Sequence, residues 1–146
     1  MALNNPYKRK AQQYRQASIE TASPGQVILM LYDGALRFLA QTKEGFVMPS
    51  STARNETINN SIVRVLNIVA ELQNSLDHNV EGDIAKTLDE LYSFVYHHLT
   101  RVNINKDPSM LPNCEQVLKD LRDSWAEMLL AQDAQTPKIS SLSQSA

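Results

Sequence analysis

The stretch Thr21–Leu39, TASPGQVILMLYDGALRFL, most constrains what this chain can fold into. Ser23 has the chemistry of an N-cap, with a side-chain oxygen able to accept a backbone N–H left free in the first turn. Pro24 then falls at the first helical position, where its missing N–H costs nothing. Gln26, three residues after the cap, completes a capping box. The following Val27-Ile28-Leu29-Met30-Leu31-Tyr32 is apolar on every side. A helix at the edge of a small domain shows one apolar stripe, so this one is expected in the centre of a helical core. Gly34 sits in mid-helix at a cost of roughly 1 kcal/mol relative to Ala. Either another backbone passes close to it or it is merely tolerated.

The remaining pattern is also helical. The first helix is expected over 24–44 with Gly45 as C-cap, followed by a loop over 45–53 whose Phe46, Val47 and Met48 pack on the bundle end. A second helix over 52–77 carries Ile58, Ile62, Val65, Val69, Leu72 and Leu76 at steps of four and three, flanked by Val63, Leu66 and Ile68. Asn79 and Gly82 mark a turn, and Asp83 caps a third helix. Its seam is Ile84, Leu88, Leu91, Val95, Leu99 and Val102, flanked by Tyr92, Phe94 and Tyr96. Asp107-Pro108 predicts a new cap and first-turn proline, and Pro112 predicts a separate turn or a kink before the fourth helix. That helix presents Cys114, Leu118, Leu121, Trp125 and Met128, with Val117 and Leu129 beside them.

Four helices of about 20 residues with short connections predict an all-α, antiparallel up-down-up-down four-helix bundle. The bundle is expected over 23–131, preceded by a mobile N-terminal segment, 1–22, and followed by a disordered tail, 132–146. Tyr7, Ala11, Tyr14 and Ser18 recur at helical spacing in the first segment, so it is either a short helix or a frayed basic tail. No apolar leader or membrane-length run is visible, and the single cysteine, Cys114, fits a reducing compartment. The expected location is cytoplasmic, without membrane insertion.

Little in the chain suggests catalysis. His97 and His98 are neighbours and point about 100° apart on a helix, which does not suit one metal. Cys114 reads as a small apolar residue. Asp33, between Tyr32 and Gly34, reads as a surface residue, an ion-pair member or a hydrogen-bond partner. No catalytic residue, metal site or cofactor is expected. The net charge is −2. Lys8, Arg9, Lys10 and Arg15 against Glu20 give residues 1–22 a balance of +3, which suits solubility or an acidic partner better than nucleic acid. A surplus of apolar area remains on the second and third helices. It is either plain core or a groove for a partner segment, which would be lined by Leu66, Ile68, Leu91, Tyr92, Val95 and Tyr96.

Several blocks resemble the FliS-type flagellin export chaperones. They are Asn5-Pro6-Tyr7, Ile19-Glu20-Thr21-Ala22-Ser23-Pro24, Met30-Leu31-Tyr32-Asp33-Gly34-Ala35, Leu88-Asp89-Glu90-Leu91-Tyr92 and Leu121-Arg122-Asp123-Ser124-Trp125. Val102-Asn103 departs from the Ala-Asn usual in the family, and His97-His98 and Pro112 are not part of its pattern. The resemblance implies a cytosolic chaperone that binds the disordered C-terminal region of flagellin and blocks premature polymerisation. It also implies delivery to the flagellar type III export apparatus, with no cofactor. Some members contact regulators such as an anti-sigma factor. Under this reading Ser23, Pro24, Met30, Leu31, Tyr32, Asp33 and Gly34 are scaffold, and Tyr7, Tyr14 and Ile19 cap the empty groove. The alternative is a small helical regulatory module that binds another protein or nucleic acid.

Overall fold

The computed structural model describes residues 23–135. They form α1 (Pro24–Phe46), α2 (Ser51–Asn74), α3 (Ile84–Asn105), a 3-10 turn (Pro108–Met110) and α4 (Leu111–Gln135). No strand occurs among the described residues. Each helix runs antiparallel to the next, and α4 closes against α1. Pair contacts fix these directions. Thr42 of α1 meets Ser61 of α2, Gln73 of α2 meets Asp89 of α3, and Asn59 meets Asn103. The α1–α4 pair is held at opposite ends by Trp125 on Gly25 and Lys43 on Glu115.

The capping box predicted for α1 is present. Ser23 Oγ accepts from the Gln26 N–H, and Gln26 Oε1 accepts from the Ser23 N–H, both at 3.2 Å. Asp107 Oδ1 accepts from the Ser109 N–H at 3.0 Å and starts the separate 3-10 turn. Pro112 then falls in the first turn of α4, where no intrahelical donor is needed. Lys106 ends α3 at φ 52°, a left-handed conformation that costs a non-glycine residue roughly 1–2 kcal/mol. Its ammonium offsets part of this by donating to the Asn103 carbonyl and side-chain oxygen, both at 2.6 Å.

Several boundaries differ from the sequence expectations. Gly45 is a buried residue inside α1, and the C-cap is Val47. Phe46 packs against the core, but Val47 is 83% exposed and so does not cover the bundle end. The cap of α2 is Ser50, whose Oγ accepts from the Ala53 N–H at 3.5 Å. This helix stops at Asn74 because Ser75 Oγ donates to the Leu72 carbonyl and the Leu76 N–H turns back to Gln73. Asp83 occupies the N-cap position of α3 without a side-chain cap bond, and Ile84 lies largely exposed beyond the core. The polar residues 132–135, Gln-Asp-Ala-Gln, continue α4 rather than beginning a tail; Ala and Gln are good helix formers. The rest of the expected tail, 136–146, and the segment 1–22 lie outside the described residues.

The core follows the predicted seams. Leu39, Ile58, Ile62, Leu72, Leu99 and Leu118 are fully buried, each contributing about 1.5–3 kcal/mol by leaving water. Gly45 is a glycine that brings α1 and α2 together. A Cβ there would lie 3.1 Å from Thr57 Cγ2 and Ile58 Cγ1 and 3.3 Å from the Ile58 backbone nitrogen. One turn earlier, the Thr42 and Ser61 hydroxyls lie 2.6 Å apart across the same seam. At Gly34 the added Cβ would meet only side-chain tips, Ile68 Cδ1 at 3.4 Å and Arg37 Nη2 at 3.8 Å, so this glycine is tolerated.

These two positions make a paired prediction. Gly45→Ala should lower stability by about 1 kcal/mol, because ~1–3 kcal/mol of overpacking outweighs ~1 kcal/mol of helix propensity. Gly34→Ala should be neutral or stabilising by up to ~1 kcal/mol. Urea unfolding midpoints of the two variants distinguish them; a higher midpoint for Gly45→Ala would show that the seam can spread.

Candidate functional site

The six residues expected to line one groove are divided among three seams and the core. Tyr92 is 2% exposed and Val95 fully buried, so both are core residues. Leu66 and Ile68 are half-buried but lie about 200° apart on α2, as any two residues at that spacing must. Ile68 packs towards Gly34 of α1. Leu66 is two turns from Asn59 and Tyr96 two turns from Asn103, so both share the face on which Asn59 bonds to Asn103 across the α2–α3 seam. Leu91 lies one turn from Phe94, on the flank towards α4. Only Leu66 and Tyr96, which is 41% exposed, therefore line the same seam.

One depression lies between α3 and α4, the neighbouring helices whose backbones approach each other at the fewest positions. Phe94, Pro112, Asn113, Gln116, Val117 and Asp120 line this open depression of about 530 Å³. Phe94 is 36% exposed, and its ring lies 4.4 Å from the His98 ring, which supports it from one side. The opening follows from the residues α4 offers. Only Leu111, Cys114 and Leu118 of this helix are buried, and Cys114 fills little volume. A second depression of about 380 Å³ lies between the start of α1 and the end of α4, where Leu29, Ala126, Leu129 and Leu130 share the lining with the polar Ser23, Gln26, Arg122 and Asp133.

Periodicity places Phe94 only on the flank of the third-helix seam. That it shares a depression with Val117 of α4 is a tertiary fact. The available signal was the sparse apolar stripe of the fourth helix beside the rich stripe of the third.

The signature residues meet one another. The Tyr32 and Tyr92 hydroxyls are hydrogen-bonded inside the core, and burial pushes both phenols above their ordinary pKa. Asp33 Oδ1 accepts from Arg122 Nε at 2.8 Å, with both side chains partly exposed. Trp125 Nε1 donates to the Gly25 carbonyl at 2.8 Å. The blocks around Tyr32, Tyr92 and Arg122–Trp125 thus bind α1 to α3 and α4. Leu31 packs on the core, Met30 is half-buried, and Ser23 and Pro24 form the exposed start of α1. Tyr7, Tyr14 and Ile19 lie outside the described residues.

Burial pushes the Cys114 thiol up to about 11, which keeps it protonated at neutral pH and poorly nucleophilic. Among the described residues no group of three His, Cys, Asp or Glu side chains could hold a metal ion. No helix among them is long and apolar enough to cross a membrane.

The arrangement is a helical bundle whose motif residues tie α1 to α3 and α4 and whose surface carries two depressions of mixed apolar and polar lining. Residues 7–132 match the family described as flagellar protein FliS. The chain is 32% identical over 129 residues to a flagellar secretion chaperone FliS of Bacillus subtilis, covering 88% of this chain and 90% of that protein. A Campylobacter jejuni protein of the same name is also 32% identical over 129 residues, covering 86% and 94%. The Salmonella typhimurium protein of that name is 30% identical over 120 residues, covering 79% and 86%. A crystal structure described as a flagellar chaperone from bacteria shares the fold, with a TM-score of 0.65 over 86% of this chain and 99% of the other, at 20% identity. The chain belongs to the FliS family of flagellar secretion chaperones.

Proposed function

We infer that this protein binds the disordered C-terminal region of flagellin in the cytoplasm. The client's apolar side chains occupy the α3–α4 groove around Phe94 and Val117 and continue over the exposed edge of α3 to Leu66 and Tyr96. Burying that region prevents premature polymerisation and leaves the subunit extended enough for the flagellar type III export apparatus. The observation that carries this reading is the open depression between α3 and α4 with the partly exposed Phe94 ring in its lining. An amphipathic or extended segment fits such a site by burying alternate apolar groups, with no chemical step required. Tyr7, Tyr14 and Ile19 cover the groove between clients, which limits the apolar surface left in water.

Calorimetric titration with a peptide of the flagellin C-terminal region tests the reading. The expected result is a one-to-one complex at micromolar concentration with little salt dependence. No binding in that range overturns it, and steep salt dependence traced to Lys8, Arg9, Lys10 and Arg15 indicates a nucleic-acid module instead. Deleting residues 1–16 should change both client affinity and the hydrogen-exchange protection of α2 or α3. If neither changes, the covering role is wrong.

A further inference from the structure

The outer edge of the α1–α2 seam carries a group that the groove does not use: Phe38 packs one side against the core, and two arginines lie over its ring. The guanidinium carbons of Arg37 and Arg64 lie 5.5 Å and 5.2 Å from the centre of the same Phe38 ring. Both arginines are exposed and Phe38 is half-buried. Each cation is attracted to the ring, yet two like charges drawn to one ring repel each other. Neither guanidinium has a carboxylate partner among the described residues, whereas Lys43 and Arg122 are paired with Glu115 and Asp33. Asp33, one turn from Arg37, is held by Arg122 on the α4 flank.

The wider charge distribution places this pair in the positive half of the bundle. Residues 35–64 and 95–120, one half of the bundle, hold seven cations and five carboxylates. The other described residues hold ten carboxylates and two cations. The Arg37–Phe38–Arg64 pad therefore lies in the positive half of a bundle whose other half is negative. The chain's own ends do not suit it. Residues 1–22 have four cations and one carboxylate side chain, and residues 136–146 have Lys138 and no acidic side chain. The negative half repels any polyanion long enough to reach it, such as nucleic acid. A short acidic segment suits the pad, because each guanidinium can take a carboxylate through two N–H groups while Phe38 meets an apolar side chain between them.

We propose that Arg37, Phe38 and Arg64 form a docking point for an acidic segment of a partner protein, with two carboxylate side chains flanking an apolar residue. The site lies on the α1–α2 edge, away from the α3–α4 groove, and stands whether or not that groove takes flagellin. The test is NMR titration of the full-length protein with acetyl-Glu-Leu-Glu-amide, with acetyl-Gln-Leu-Gln-amide and inorganic phosphate as controls.

The expected result is a saturable shift of the Arg37 and Arg64 Nε–H signals and the Phe38 ring, with the glutamine peptide weaker by about tenfold or more. Arg37→Gln and Arg64→Gln should each weaken the glutamate peptide by about tenfold, roughly 1.4 kcal/mol. Their melting midpoints should stay unchanged, since both side chains are exposed. Equal response to the glutamine peptide overturns the proposal, as do shifts centred on Phe94 and Val117 or no shifts at millimolar peptide. Phosphate acting as strongly as the peptide shows a general anion site and overturns the peptide assignment. Self-association abolished by Arg64→Gln shows that a second copy fills the pad, and overturns it equally.

Discussion

Phe94→Glu is expected to weaken binding of the flagellin C-terminal segment by at least about tenfold while leaving the melting temperature within a few degrees of the parent. The ring is 36% exposed and lies outside the buried core cluster, so the fold does not depend on it. For binding, the substitution removes an aromatic surface from the floor of the groove and places a charge where apolar groups must meet. A carboxylate there either stays hydrated, which holds the client off, or is buried at a cost of several kcal/mol. Asp120 on the opposite wall adds like-charge repulsion. Val117→Glu should act in the same direction. Calorimetry measures the affinity and circular dichroism the fold. Unchanged affinity in both variants would place the client elsewhere on the bundle.

The second large effect concerns the tyrosine pair. Tyr92→Phe should destabilise the protein by about 2 kcal/mol, because it leaves the buried Tyr32 hydroxyl without its partner. Tyr32→Phe should cost a similar amount by stranding Tyr92. The double variant should recover much of the loss, since an apolar pair of nearly the same shape leaves no unsatisfied donor. A coupling energy of roughly 1 kcal/mol or more, from the four urea unfolding curves, is the expected signature. Additive losses would mean that each hydroxyl finds a substitute partner. This cycle also asks what the most recognisable residues do. Tyr32 and Tyr92 belong to separate signature blocks, and their bond joins α1 to α3 through the middle of the core.

The helices were legible in the sequence because they carry a sustained period of three and four and explicit end signals. Ser23, Pro24 and Gln26 opened α1 as local chemistry predicted, and Asp107-Pro108 produced its separate turn. Local signals were weaker where tertiary contacts decide. Gly45 looks like a helix stop, but it is needed for the close approach of Thr57 and Ile58. Tyr92 looked like a flanking residue because a tyrosine usually keeps its hydroxyl wet. The buried Tyr32 hydroxyl removes that penalty, and no local pattern reveals it. The division of Leu66 from Ile68 was readable, since helical geometry alone sets them on different sides. The α3–α4 depression was not, because it depends on which side chains of α4 fail to fill the space beside α3.

That depression has a mechanical consequence. The α1–α2 pair is tied by the Gly45 approach and the Thr42–Ser61 bond, whereas the α3–α4 edge has an unfilled depression. The bundle resembles a book with its spine at α1–α2 and its free edge at α3–α4. The α3 and α4 backbones approach at fewer positions than those of any other neighbouring pair, so hydrogen exchange is expected to find that edge the most readily opened. A segment wedged there can gain room by leaning two helices apart, while the spine keeps the molecule folded.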